Sequence, residues 1–255
     1  MKTLRLLGAV AATAMVLFTS CLGEGSNTYS ATQFAVGGIS EKTFQTVLNT
    51  PAGPIYSAAL EGKVVDGACY QVAYEVDSSS PEIANANTNG YYVATVSALA
   101  EITKGACQFY NLPDTTSLLI NELPLQNLMG YQQLGIYVDG HLFLGGTLNK
   151  KNEQQNLWTL YWDRMKDPVE DNGVNTYDLF IRVQKTAEGT GSSETATTEP
   201  RAFQLEQVLK TVNDAEKAKG KETYVLKVNY LTAINEKDST DLKWDSLKLT
   251  FGVSE

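Results

Sequence analysis

The chain has 255 residues, 29 acidic against 20 basic, and a net charge of −9 at neutral pH with a single histidine. It carries no cluster of Lys and Arg, and binding to a phosphate backbone rests on clustered cations that release counterions, so nucleic acid is excluded as a partner. With 43% hydrophobic and 19% charged residues the composition is that of a folded chain, and the length suits two domains.

Lys2 and Arg5 precede an apolar run of thirteen residues, Leu6–Phe18, and Thr19-Ser20 then lead directly into Cys21. This is the order of a bacterial lipoprotein signal, and the run is too short to span a bilayer, which takes roughly 20 apolar residues. Residues 1–20 are therefore expected to be removed and Cys21 to carry lipid, fixing the chain to the bacterial outer membrane on its periplasmic or its surface face. Phe18 stands where Leu is more usual, and the alternative is an ordinary signal peptide cleaved near Ser20 with Cys21 incidental. Removal takes away Lys2 and Arg5 but no acid, leaving a net charge of −11. An anionic lipid surface repels such a body, so the acyl chains must supply the membrane attachment, at about 0.8 kcal/mol per buried methylene.

Residues 21–32 are small and polar and read as a tether. Short apolar or β-branched pieces follow, FAVGG, TFQTVL and PAGPIYSAALEG, each closed by Gly, Pro or Asn. After the Asp66-Gly67 turn, Tyr70, Val72, Tyr74 and Val76 alternate with Gln71 and Glu75 as a strand with one apolar face. Asp77–Gly90 is rich in turn formers and reads as a surface loop. Tyr91–Ile102 alternates again, and CQFYNL is a further short run. Five or six short strands in roughly 80 residues predict a small antiparallel barrel of the oligonucleotide/oligosaccharide-binding (OB) type, or a comparable sheet, over residues 33–115.

Residues 116–255 predict a β-sandwich with one short helix, the whole chain being mainly β. Asp139-Gly140 between two apolar runs is a hairpin turn, because both positions need positive φ. Trp158, Leu160 and Trp162 alternate with Leu157, Thr159 and Tyr161, and Tyr177, Leu179, Ile181 and Val183 form one side of the next strand. Asp167–Thr176 reads as a loop and Glu188–Pro200 as a mobile or disordered one. Phe203, Leu205, Val208, Leu209 and Val212 take helical spacing up to Lys217, Lys219 and Gly220. Two closing strands cover Thr223–Ala233 and Trp244–Val253.

Taken in order, Gly67-Ala-Cys-Tyr-Gln-Val-Ala-Tyr-Glu-Val76, Tyr91-Tyr-Val-Ala-Thr-Val-Ser-Ala-Leu99, His141-Leu-Phe-Leu144, Tyr177-Asp-Leu-Phe-Ile-Arg-Val183 and Arg201-Ala-Phe-Gln-Leu205 resemble the NigD-like lipoproteins of Bacteroidetes. The resemblance implies an OB-type barrel followed by an immunoglobulin-like sandwich, and it brings no catalytic residues with it. Cys69 departs from the family pattern, which has a basic residue there.

The residues offer little chemistry. His141 is the only histidine and sits on the hairpin, without a serine elbow elsewhere to serve. Asp163, Asp167, Glu170 and Asp171 could pair as glycosidase carboxylates, or Asp167, Glu170, Asp171 and Asn172 could bind calcium, though their spacing matches no EF-hand; solvated charge is the plainer account. Cys69 and Cys107 remain after lipidation, either as one disulfide or as two reduced thiols, since spacing does not settle connectivity. Tyr91, Tyr92, Trp158, Tyr161 and Trp162 form either a stacking platform for a ligand or the packing of two sheet faces. The expectation is a non-enzymatic envelope protein, with no catalytic residues, metal or cofactor, that binds another envelope protein or a glycan. A glycan hydrolase and a structural subunit of a surface appendage are the alternatives. A groove-like unpaired β edge would favour the latter.

Overall fold

A computed structural model of the protein describes residues 27–110, 112–235 and 238–253. The expected signal, Cys21 and the first part of the tether lie outside the described residues. The described residues form two compact units, one taking in those up to Thr103 together with Tyr131–Phe143, the other those of Lys104–Gly130 and from Leu144 to Val253. This division differs from the expected boundary at residue 115. The short strand at Ala106–Gln108 already pairs within the second unit, and the Asp139-Gly140 hairpin belongs to the first.

In the first unit β1 (Thr28–Ile39), β2 (Thr46–Thr50), β3 (Gly53–Tyr56), β4 (Cys69–Asp77), the short helix α1 (Ala86–Asn89), β5 (Tyr92–Val93) and β6 (Thr95–Ile102) follow one another. They make one sheet in the order β5-β3-β2-β1-β4-β6. Its two end strands are a single stretch of chain interrupted only at Ala94. The first part pairs parallel with β3 and the second antiparallel with β4, so the sheet closes on itself in the OB arrangement. Ala35, Leu48, Ile55, Leu60, Tyr70, Val72, Tyr74 and Ala94 fill the interior, and β4 shows the alternation its sequence announced. The buried Gln33 side chain accepts the Tyr74 hydroxyl at 2.8 Å. Gly37 is required where the chain crosses itself. Its N–H donates to Ala68 O, its carbonyl accepts from Gly67, and a Cβ would lie 2.2 Å from Val65 O.

The second unit begins with β7 (Ala106–Gln108), β8 (Glu122–Leu123) and β9 (Asn127–Gly130). The chain then contributes β10 (Tyr137–Val138) to the first unit and continues through β11 (His141–Asn152), β12 (Gln155–Trp162), β13 (Val169–Asp171) and β14 (Val174–Ala187). It ends with β15 (Thr190–Gln204), helix α2 (Glu206–Ala218), β16 (Thr223–Asn235) and β17 (Asp238–Gly252). One sheet runs β17-β16-β14-β12-β7, with β8 and β13 also on β14; in the other, β11 is flanked by β9 and β15. Trp158 of the first sheet reaches the second. Its indole N–H donates to Glu199 on β15 at 3.1 Å, and a Cβ on Gly146 of β11 would lie 2.6 Å from its ring.

This is a two-sheeted, mainly β unit, but two of its strand pairs, β7 with β12 and β14 with β16, are parallel, unlike an all-antiparallel immunoglobulin arrangement. α2 lies between β15 and β16 in the chain and supplies the long crossover that returns β16 parallel to β14. The helix falls within the stretch its spacing marked but begins at Glu206, Phe203 lying in β15 and Leu205 at the N-cap. It buries Val208, Leu209, Val212 and Glu216, whose carboxylate accepts from Asn175 and Tyr177 on β14 at 2.7 Å each.

Residues 190–200, expected as a mobile loop, are strand. Four β-branched threonines favour extended backbone, and pairing with β11 satisfies that backbone while the side chains up to Ala196 stay in water and Glu199 turns inward. The Asn172-Gly173 step, inside the expected loop at 167–176, is a tight hairpin with both residues at positive φ.

Two ionic clusters lie inside this unit. Arg182 and Glu122 are fully buried. The guanidinium donates to both carboxylate oxygens, to Asp114 O at 3.1 Å and to Ser117 O at 2.7 Å, beneath the Trp244 ring. Glu199 receives Lys150 at 2.5 Å, Arg201 at 2.7 Å and the Trp158 indole. Burial alone would push the Glu199 carboxyl up, but the Lys150 hydrogen bond and the charges of Arg201 and Lys150 outweigh it and hold it below its ordinary 4.5.

Two outcomes follow for stability. Arg182→Met strands a buried carboxylate and is expected to cost about 3–5 kcal/mol in urea unfolding, whereas Arg182→Met with Glu122→Leu costs less than either single change. An equal or larger loss in the double variant would contradict this account of the pair. Because the folded pKa of Glu199 lies below its unfolded value, its contribution is present above about pH 4.5 and is lost as pH falls through the folded value. Glu199→Gln should therefore flatten the acid limb of a stability–pH curve and leave its slope above pH 6 unchanged.

Candidate interaction site

The site is built on the first unit, starting from a face that is not available. Ala35 and Leu48 point into the barrel, so their strand neighbours Phe34, Val36, Val47 and Asn49 point outward. Phe34, Val36 and Val47 are nevertheless buried. The returning segment Tyr131–Phe143 covers Phe34, which stacks on Phe143 at 4.5 Å and meets Tyr131 edge-on at 5.2 Å, and it accepts a hydrogen bond from Asn49 to Asp139 at 2.8 Å. A Cβ on Gly135 would lie 2.1 Å from Pro51, in the β2–β3 turn. In OB barrels the faces of strands 2 and 3 and the loops after strands 1 and 4 hold ligands. Here the chain itself occupies part of that face, and the loops remain.

Those two loops are joined. Ser40 Oγ donates to Asn89 O at 2.9 Å, Lys42 Nζ to Asn87 O, and the Tyr91 hydroxyl to Gln45. The turn between β1 and β2 closes through Ser40 N–H to Gln45 O at 2.9 Å and Phe44 N–H to Ser40 O at 2.8 Å. Closing it places Phe44 at φ 59°, the left-handed region, with 82% of the residue exposed. Beside this turn Tyr91 packs against Tyr56 at 5.1 Å, and Tyr92, 41% exposed, lies over Gly53, where a Cβ would come 3.6 Å from its ring. The rim thus offers one protruding phenyl, a second partly open aromatic, the Lys42 ammonium and the carbonyls of a short helix.

The expected site residues are not gathered in one place. Trp158, Tyr161 and Trp162 are buried in the second unit, Trp158 to 1% exposure and Trp162 edge-on to Tyr177 at 5.8 Å, while Tyr91 is buried in the first. A stacking platform made of these five is therefore corrected. Four of them pack sheet faces, β12 being covered on both sides from Trp158 onward, and only Tyr92 is open.

Cys69, in the barrel, and Cys107, on β7, are not joined to each other, and burial pushes the Cys107 thiol up to about 11. The proposed disulfide gives way to the reduced alternative. His141 is buried rather than exposed, with Nδ1 2.9 Å from Asp139 O.

Of the acid cluster, Asp163 accepts the Met165 N–H at 3.0 Å, Glu170 pairs with Lys221 at 3.1 Å and Asp171 accepts from Asn172 at 2.9 Å. Among the described residues no group of three or more His, Cys, Asp or Glu is placed to hold a metal ion. Sequence reading missed Phe44; the signal was a phenylalanine among polar residues where the chain must turn between two strands.

Residues 25–100 match the protein family described as "Lipoprotein OB domain". No curated protein matches the chain. Among solved structures, an uncharacterized protein from Parabacteroides merdae is 24% identical with a TM-score of 0.76, over 88% of this chain and 100% of that one. A Bacteroides fragilis protein described as a lipoprotein is 12% identical with a TM-score of 0.53, over 88% and 96%. A NigD-like immunity protein from Bacteroides caccae is 11% identical with a TM-score of 0.48, over 90% and 99%. The first two likenesses concern the fold of nearly the whole described chain. Over residues 25–100, then, the chain is similar to lipoprotein OB domains.

Proposed function

We propose that this is a non-enzymatic protein, lipid-anchored through Cys21 to the bacterial outer membrane, whose OB rim around Phe44 binds another envelope protein or a glycan. Phe44 carries the reading. A non-glycine residue in the left-handed region costs about 1–2 kcal/mol, and a phenyl group left in water contributes no burial in return. Asn or Gly would satisfy the same turn at less cost, so a benefit outside the folded chain accounts for phenylalanine there. The lipoprotein OB match supports the anchor, and the clustered loops are those with which barrels of this type hold ligands. The covered β1–β2 face and the acidic charge argue against a nucleic acid.

Phe44→Asn is expected to raise the thermal midpoint of the full chain by about 2–4 °C, the shift that 1 kcal/mol brings in a protein of this size. Benzoylphenylalanine at position 44 should give a discrete adduct in intact cells, and the same probe at the equally exposed Met165 should not. Loss of the adduct to protease would mark a protein partner, loss to glycosidase a glycan. No adduct at 44, or a lower midpoint for Phe44→Asn, would contradict the reading. A fatty-acid analogue should label the protein and not Cys21→Ala, and membrane retention of an unlabelled Cys21→Ala chain would refute the anchor.

A further inference from the structure

Strand β6 has a partner on one side. It pairs with β4 from Cys69↔Ile102 to Glu75↔Thr95, and among the described residues no strand lies along its other edge. The seam that closes the barrel is short: β3 meets β5 at Ile55↔Tyr92 and Tyr56↔Val93, and Ala94 N–H then donates to Tyr56 O at 2.8 Å. After Tyr56 the chain turns into the single 3₁₀ turn Ala58–Leu60 instead of continuing along β6. Between that turn and β6 lies an open groove of about 410 Å³, with Ala59, Leu60, Val96 and Leu99 on its walls and Lys63 and Glu101 beside them.

Edge strands are ordinarily blunted by lysine, proline or bulges, because a row of unpaired N–H and C=O groups recruits another strand. The edge of β17 carries Lys243, Asp245 and Lys248. Thr95-Val-Ser-Ala-Leu-Ala-Glu-Ile102 has no proline and no lysine; its one irregularity is the register slip at Ser97, whose hydroxyl donates back to Ala73 O at 3.2 Å. Lys63 and Glu101 are exposed and make no ion pair among the described residues.

We propose that the free edge of β6, with the groove beside it, receives an extended segment of a partner polypeptide as an added strand. The occupant is set by chemistry: backbone donors and acceptors recurring at roughly 3.3 Å per residue match another peptide backbone, not a sugar or an acyl chain. The groove is at the small end of ligand clefts, suited to alternate small apolar side chains, and Lys63 and Glu101 select one acidic and one basic residue along the segment. This site is separate from the Phe44 rim and does not rest on it.

The probe is a fluorescein-labelled, acetylated and amidated peptide, Lys-Val-Thr-Val-Thr-Val-Glu, titrated with the full chain in detergent micelles and followed by anisotropy. Strand addition uses every second amide of the peptide. N-methylating one alternate set should therefore weaken binding about tenfold or more, the loss of one or two backbone hydrogen bonds, while methylating the other set leaves it within about twofold. Lys63→Ala and Glu101→Ala should each weaken it severalfold, and Phe44→Asn should leave it unchanged. Equal effects of the two methylated sets, or no binding at millimolar peptide, would overturn the proposal. Dimerisation of the chain without peptide, competing with the probe, would overturn it in favour of a second copy as the occupant.

Discussion

Phe34 stands where an OB barrel ordinarily meets water, on the outward side of its first strand, and it is held between Phe143 and Tyr131 of a segment that returns to the barrel after 27 residues in the second unit. Aromatic pairs in these geometries contribute about 0.5–1.5 kcal/mol beyond the area they bury. Their larger consequence is topological. Residues 131–143 become part of the first unit, the outward side of β1 at Phe34 becomes interior, and a ligand must use what is left of that face. The Asp139-Gly140 turn makes the cover possible, since both residues adopt positive φ and bring Asp139 within hydrogen-bonding distance of Asn49.

What is left follows from how the barrel closes. One stretch of chain, bent at Ala94, serves two neighbours, β3 with its first two residues and β4 with the rest. A strand that bends this way seals the barrel at one point and leaves an open edge below it. The bend also brings Tyr91 and the short helix before it against the β1–β2 turn, so the loops form one rim. Cover, rim and edge are three results of one economy: a barrel of about seventy-five residues is closed with the fewest strand pairs that complete it.

Much of this was legible in the residues. Alternation from Tyr70 to Val76 gave the central strand of the barrel, the helical spacing from Phe203 to Gly220 gave α2, and Asp-Gly at 139–140 gave its hairpin, because each depends on neighbours in sequence. The misjudged parts depend on neighbours in space. Thr190–Pro200 lacks apolar residues and looked unstructured, yet β11 completes its backbone bonds. Trp158, Tyr161 and Trp162 looked available because alternation does not reveal that both faces of a strand are covered. Nothing local marks residues 131–143 as belonging to the barrel, and the polar neighbours of Phe44 do not by themselves show that the turn leaves its ring in water.

Amide hydrogen exchange resolved along the full chain tests the covering of the barrel most directly. If Tyr131–Phe143 is packed on β1 and β2, its amides exchange as slowly as those of Phe34–Val36 and Val47–Thr50, and all three stretches open together as denaturant is added. Exchange of 131–143 at the rate of the exposed Asp77–Asn85 segment, with β1 and β2 still protected, would show the outer face to be open and would contradict the account.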